Sequence, residues 1–149
     1  MNNMNIKVLY HSTTGNTAKL ARTIAETLKV KAERIEDSTS FSKNVDLLFI
    51  GDGVYFGKPN KKTRSFIAKL DPKMVKNVAV FASCGGQKTI GADISRLLQE
   101  KGIRVISEPF VCKGQSWLVL NRNHPNPGEL DQVREYASSI YAKADKTLE

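Results

Sequence analysis

The chain reads as an α/β protein built on an open, mostly parallel sheet with helices on both faces. Three observations predict this. Short apolar runs suited to buried strands alternate with stretches of helical period. One strand-like run is polar, as expected at a sheet edge, whereas the next is apolar almost throughout, as expected at the centre. Joining parallel neighbours through helices requires right-handed crossovers, which leave helices on both sides of the sheet.

The first apolar run is Ile6 to Tyr10. Leu20, Ala21, Ile24, Ala25 and Leu28 then fall on one helical face, with Lys19, Arg22, Thr23 and Glu26 opposite, as in a helix that covers a sheet. Ala32 to Glu36 is the polar edge strand, and Val45 to Ile50 the central one, ended by Gly51. A second helix carries Phe66, Ile67 and Leu70 and closes at Asp71-Pro72. Val78 to Ala82 is the next buried strand, broken by Ser83-Cys84-Gly85-Gly86. Ile90, Ile94, Leu97 and Leu98 form a third helical stripe, followed by Gly102 where a left-handed residue commonly ends a helix. The last strand is expected over Ile103–Ile106 and Phe110–Cys112, interrupted near Pro109. The final helix carries Leu130, Val133, Ala137, Ile140 and Tyr141. Its start is marked by Asn126 as cap, Pro127 in the first turn and Glu129 three residues past the cap.

With 149 residues the chain is expected to form a single domain, 1–149, without room for a second catalytic module. Hydrophobic residues at 40% and charged residues at 26% exclude a disordered composition. The amino end has no charged segment leading into an apolar one, and no apolar stretch approaches the roughly 18 residues that span a bilayer. A soluble, cytoplasmic protein is expected. Cys84 and Cys112 are the only cysteines, too few for a disulfide scaffold or a four-ligand zinc site, and no metal ligand or catalytic residue is assigned. They end adjacent strands and are placed to approach each other. The net charge of +8 favours an anionic partner or ligand.

In sheets of this kind ligands bind beyond the carboxyl ends of the strands. Four loops belong there: Tyr10 to Thr17, Gly51 to Lys61, Ser83 to Thr89 and Lys113 to Pro127. The first contains Ser12, Thr13, Thr14, Gly15, Asn16 and Thr17, six consecutive polar or glycine residues between a buried strand and a helix. A single helix cap needs one oxygen, so this density points to a phosphate cradle. Backbone N–H groups and the positive end of the helix dipole face the anion, and Gly15 permits close approach. The spacings of a P-loop and of a dinucleotide fingerprint are both missing.

From Val8 through Thr17, with Ala21 and Ile24 beyond, the sequence resembles the flavodoxins at every constrained position of their amino-terminal signature. The resemblance implies a flavodoxin-like doubly wound three-layer sandwich whose five-stranded parallel sheet has the order 2-1-3-4-5, of the short-chain type. It also implies FMN as a non-covalent cofactor, its phosphate held by Ser12 to Thr17 and its ring between the second and third loops. In the second loop Gly53, Val54, Tyr55, Phe56 and Gly57 would meet the ring, with Tyr55 or Phe56 stacked on it. A glycine carbonyl, of Gly53 or Gly57, would turn towards the flavin as it takes up an electron. In the third loop Ser83, Cys84, Gly85 and Gly86 would offer backbone donors to the pyrimidine edge.

Two departures from that pattern matter. The third loop lacks the tyrosine that many flavodoxins place on the other ring face, which leaves that face open unless Trp117 covers it; Trp117 is equally suited to packing on the last helix. His124, before Pro125, reads as a loop-fixing residue. Familiar flavodoxins are acidic, yet between Gly53 and Ala92 this chain sets eight basic residues, Lys58, Lys61, Lys62, Arg64, Lys69, Lys73, Lys76 and Lys88, against Asp71 alone. Most of that excess is expected beside the ring, giving a less negative potential.

The function expected is an FMN electron carrier between redox partner proteins, or one exchanging electrons with an anionic small-molecule donor or acceptor at the basic face. The alternatives are a small FMN-dependent NAD(P)H:quinone-type oxidoreductase and a non-catalytic binding module of the same fold. Asp52 stands where a phospho-receiver domain has its acceptor, but Tyr10-His11-Ser12 supplies no acid pair for Mg²⁺. Nucleic-acid binding has only the charge in its favour and is not expected.

Overall fold

The computed structural model describes residues 4–12, 15–53, 59–84, 90–113 and 126–147. In chain order they form β1 (Ile6–Tyr10), α1 (Asn16–Leu28), β2 (Ala32–Arg34), β3 (Val45–Gly53), α2 (Lys61–Lys69), β4 (Val75–Cys84), α3 (Ile90–Glu100), β5 (Phe110–Lys113) and α4 (Pro127–Thr147). The five strands make one parallel sheet in the order β2-β1-β3-β4-β5, the order expected.

Because side chains alternate along a strand, the sheet feeds two cores. Val8, Leu47, Phe49, Ala79 and Phe81 pack under α1 and α4 with Leu20, Ile24, Val133 and Ile140. Leu9, Leu48, Ile50, Val78 and Val80 pack under α2 and α3 with Phe66, Ile67, Ile94 and Leu98. Each fully buried Leu, Ile or Phe contributes about 1.5–3 kcal/mol relative to an exposed one.

Local signals fix the helix ends. Asn126 and Glu129 form a reciprocal cap on α4: the Glu129 amide donates to Asn126 Oδ1 at 2.8 Å and the Asn126 amide to Glu129 Oε1 at 3.0 Å. Asn60 caps α2 by accepting from the Lys62 amide at 2.9 Å. Gly102 follows α3 with φ +82°, the left-handed residue expected there. No helix among the described residues is long and apolar enough to cross a membrane.

Three expectations need correction. The edge strand pairs only over Ala32–Arg34; the Ile35 amide makes the last rung, donating to the Tyr10 carbonyl at 2.7 Å, and its side chain is buried in the core under α2 and α3. Gly51 does not end β3, which runs on beside β4 through Asp52 and Gly53; β4 likewise reaches Cys84. The last strand is reduced to Phe110–Lys113. The 103–106 stretch makes only a lone bridge, Val105 to Val78. As expected, Cys84 and Cys112 stand on adjacent strands, one register step apart: Cys112 is opposite Ser83 and Cys84 opposite Lys113.

Candidate functional site

All five strands point the same way, so the loops after β1, β3 and β4 leave the same edge. The loop after β1 turns into α1 through Gly15, whose φ of +94° is a conformation that favours glycine. Ser12 Oγ accepts from the Gly15 amide at 3.0 Å, and the Gly15 carbonyl accepts from the Lys19 amide at 3.1 Å. Among the described residues no side chain caps the start of α1, and its first turn carries no acidic residue. By contrast Asn60 caps α2, and the Asn126–Glu129 box closes α4. Ser12, Asn16 and Thr17 are nevertheless buried. Arg34 adds positive charge behind the turn, donating from Nη2 to the Ser12 carbonyl at 2.9 Å while its guanidinium lies 5.6 Å from the Tyr10 ring centroid.

The three loops converge at their stems. Thr17 Oγ1 and Ser83 Oγ lie 2.6 Å apart and share a hydrogen bond, joining α1 to the end of β4. Gly53 fits between them: a Cβ there would stand 3.1 Å from Thr17 Oγ1 and 3.4 Å from Ser83 Oγ.

On the α2 side of the sheet, Asp52 is completely buried. Its Oδ1 accepts from the Gly53 amide and its Oδ2 from the Asn60 amide, both at 2.7 Å; His11 Nδ1 lies 3.3 Å from Oδ1. Burial pushes the Asp52 carboxyl above its ordinary 3.8, against the two amides and His11, which favour the charged form. The Thr63 hydroxyl also lowers it, from a position short of full hydrogen-bond geometry. A carboxyl whose folded-state pKa is raised contributes stability that is fully present below the unfolded value and lost as pH rises through the folded one. The stability of the wild type relative to Asp52→Asn is therefore expected to fall as pH is raised from below about 4. Urea unfolding of both proteins across a pH series measures this; a constant difference would contradict it.

Of the residues expected to hold the cofactor, Ser12, Gly15, Asn16, Thr17, Gly53 and Ser83 come together at this edge. Cys84 ends β4 beside them in the chain. Thr13, Thr14, Val54, Tyr55, Phe56, Gly57, Gly85 and Gly86, together with Trp117 and His124, lie outside the described residues. The basic excess divides between two edges. Lys61, Lys62 and Arg64 start α2 at the site edge, Lys62 pairing with Glu36 at 3.2 Å. Because α2 runs back against the strands, Lys69, Lys73 and Lys76 gather towards the opposite edge. Motif reading missed the His11–Asp52–Asn60 constellation. Its signal was the adjacency of β1 and β3, which sets Tyr10 opposite Gly51 and hence position 11 beside 52.

The molecule is thus an open, doubly wound parallel α/β protein whose first crossover helix begins at a glycine turn. The sequence pattern of the flavodoxin domain family matches residues 7–123, and the chain belongs to that family. An uncharacterized protein of Methanocaldococcus jannaschii is 32% identical over 145 residues, covering 90% of this chain and 93% of its own. A flavodoxin from the domain Archaea superposes with a TM-score of 0.77 at 20% identity, over 95% of this chain and 99% of that one. The flavodoxin, WrbA-like protein from Agrobacterium tumefaciens gives 0.76 at 17%, over 97% of this chain and 99% of that one.

Proposed function

We propose that this protein binds FMN and carries electrons between partners in the cytoplasm. The observation that carries the reading is the start of α1: a buried helix N-terminus with no acidic residue in its first turn, entered through a left-handed glycine. Backbone amides and the positive end of the helix dipole there match the dianion of a phosphomonoester. The donor set fits the group. Ser12 to Thr17 would hold the phosphate, and the segment beginning at Gly53, with the one beginning at Ser83, would flank the ring. Bound FMN would supply one- and two-electron transfer; the chain supplies binding, orientation and the local field.

The test is titration of the purified protein with FMN and with riboflavin, read by flavin fluorescence and visible absorption. FMN is expected to bind at least about 100-fold more tightly, since the phosphate adds two or more charge-assisted hydrogen bonds of about 1.5–3 kcal/mol each. Equal affinity for the two flavins would remove the phosphate assignment.

Lys61, Lys62 and Arg64 at the start of α2 favour the reduced, anionic flavin over the oxidised one. The midpoint potential is thus expected to lie above that of an acidic flavodoxin and to become more negative as salt screens those charges. Potentiometric titration at low and high ionic strength measures the shift; a potential that rises with salt would contradict it.

One feature favours the oxidoreductase as a second reading. The stretch Ser83-Cys84-Gly85-Gly86-Gln87 offers no aromatic side chain to cover the second ring face, which leaves access for a nicotinamide or quinone unless Trp117 covers it. NAD(P)H oxidation by the FMN-loaded protein alone, with a quinone present, separates the two readings, and turnover selects the enzyme.

A further inference from the structure

The Asp52 carboxylate reaches three separate pieces of chain from a fully buried position. Gly53 and Asn60, whose amides donate to it, flank residues 54–59, so one side chain ties both ends of the second loop. His11, its third partner, belongs to the first loop. With the proton on Nδ1 the imidazole donates to Oδ1, while the His11 amide donates to the Gly51 carbonyl at 3.0 Å. The contacts continue outward on both sides: Ser12 Oγ accepts from the Gly15 amide at the start of α1, and Asn60 Oδ1 from the Lys62 amide at the start of α2. A continuous series, Gly15–Ser12–His11–Asp52–Asn60–Lys62, thus joins two helix N-termini on different faces of the sheet.

We propose that His11 and Asp52 are positioning residues that couple the phosphate-side loop to the ring-side loop, setting the two at one spacing so that a flavin monophosphate is held as a unit. A buried carboxylate is costly unless hydrogen-bonded and paired, and a loop staple alone would need only the Gly53 and Asn60 amides. The imidazole is the part that reaches the other loop. For its ligand the proposal rests on the FMN reading; for the coupling between loops it does not.

The experiment compares the wild type with His11→Leu, which removes the contact, His11→Asn, which can place an amide where Nδ1 lies, and Asp52→Asn. Each full-length protein is titrated with FMN and with riboflavin, and amide hydrogen exchange at Gly53 and Asn60 is followed in the apoprotein. His11→Leu is expected to lower the FMN-to-riboflavin affinity ratio about tenfold and to speed exchange at Asn60 about tenfold, the size of one charge-assisted hydrogen bond. His11→Asn is expected to restore most of both, and Asp52→Asn to act in the same direction more strongly. Should Asp52→Asn fail to fold, the two His11 variants decide. An unchanged affinity ratio in His11→Leu overturns the proposal even where exchange is faster, because the link between the loops then does not set the spacing that a flavin monophosphate needs. If the wild type binds neither flavin, the FMN reading fails separately, and exchange at Asn60 in His11→Leu decides the coupling: tenfold acceleration sustains it, no change overturns it.

Discussion

Gly51→Ala is expected to destabilise the protein by about 2–3 kcal/mol, and Gly51→Val to leave little folded protein, although both substitutions raise intrinsic strand preference. The reason is a ring on the neighbouring strand. Gly51 pairs with Phe81 in the register of β3 and β4, and Phe81 is fully buried. A Cβ at position 51 would stand 2.1 Å from its Cε2, 2.4 Å from Cζ and 2.5 Å from Cδ2. The ring cannot swing away without displacing the core under α1 and α4, where it packs with Tyr10, Phe49 and Ile24. Overpacking of this kind typically costs about 1–3 kcal/mol for a small group and more for a branched one, a large share of the 5–15 kcal/mol that a domain possesses. The diagnostic measurement is a double-mutant cycle by urea unfolding. Phe81→Leu alone creates a void, but with Gly51→Ala in place it relieves the clash, so the double variant should be more stable than the sum of the singles predicts by at least about 1 kcal/mol. Strict additivity would show that some contact other than Phe81 limits position 51.

The same glycine shows where the sequence was legible and where it was not. Gly51 looks like a terminator because glycine weakens strands; it is instead the space that lets Phe81 lie across the sheet while the ladder continues to Gly53. Features whose cause lies within a few consecutive residues could be foreseen. The left-handed residue at Gly102 and the capping box of α4 are of this kind. So was the strand order, because the polar run at Ala32 suits only an edge, although there the flavodoxin resemblance supplied the full arrangement. Features set by neighbours distant in the chain could not. Asp52 and His11 meet only because β1 lies beside β3, and Asn60 joins them only because the chain returns to the same edge before α2 begins. The basic residues after Gly53 looked like one patch in the sequence, but nine residues of α2 carry half of the described ones to the far edge.

Gly15→Ala is expected to lower FMN affinity about 100-fold or more, while Gly102→Ala, which imposes the same kind of backbone strain, leaves affinity unchanged. The two glycines are matched in the ways that matter for stability. Gly15 has φ +94° and Gly102 φ +82°, and a Cβ at either would meet nothing within 4 Å. Neither substitution therefore fails through a clash. Each forces an L-residue into left-handed backbone at a cost of about 1–2 kcal/mol, and both should lower the urea midpoint by similar amounts. Their positions differ in function. Gly102 follows α3, whose carboxyl end lies at the opposite edge of the sheet from the cofactor loops. Gly15 opens α1, and its amide is held by Ser12 Oγ. If the loop relieves the strain by turning Gly15 out of the left-handed region, the first amides of α1 leave the phosphate position together. Losing two charge-assisted hydrogen bonds of about 1.5–3 kcal/mol each corresponds to a 10²- to 10⁴-fold weaker complex. Equilibrium unfolding and FMN titration of both variants give the comparison directly. Equal stability losses with a selective loss of FMN binding in Gly15→Ala place the phosphate at this turn. Equal losses of binding in both variants would mean that affinity follows overall stability, and the start of α1 would no longer be the site.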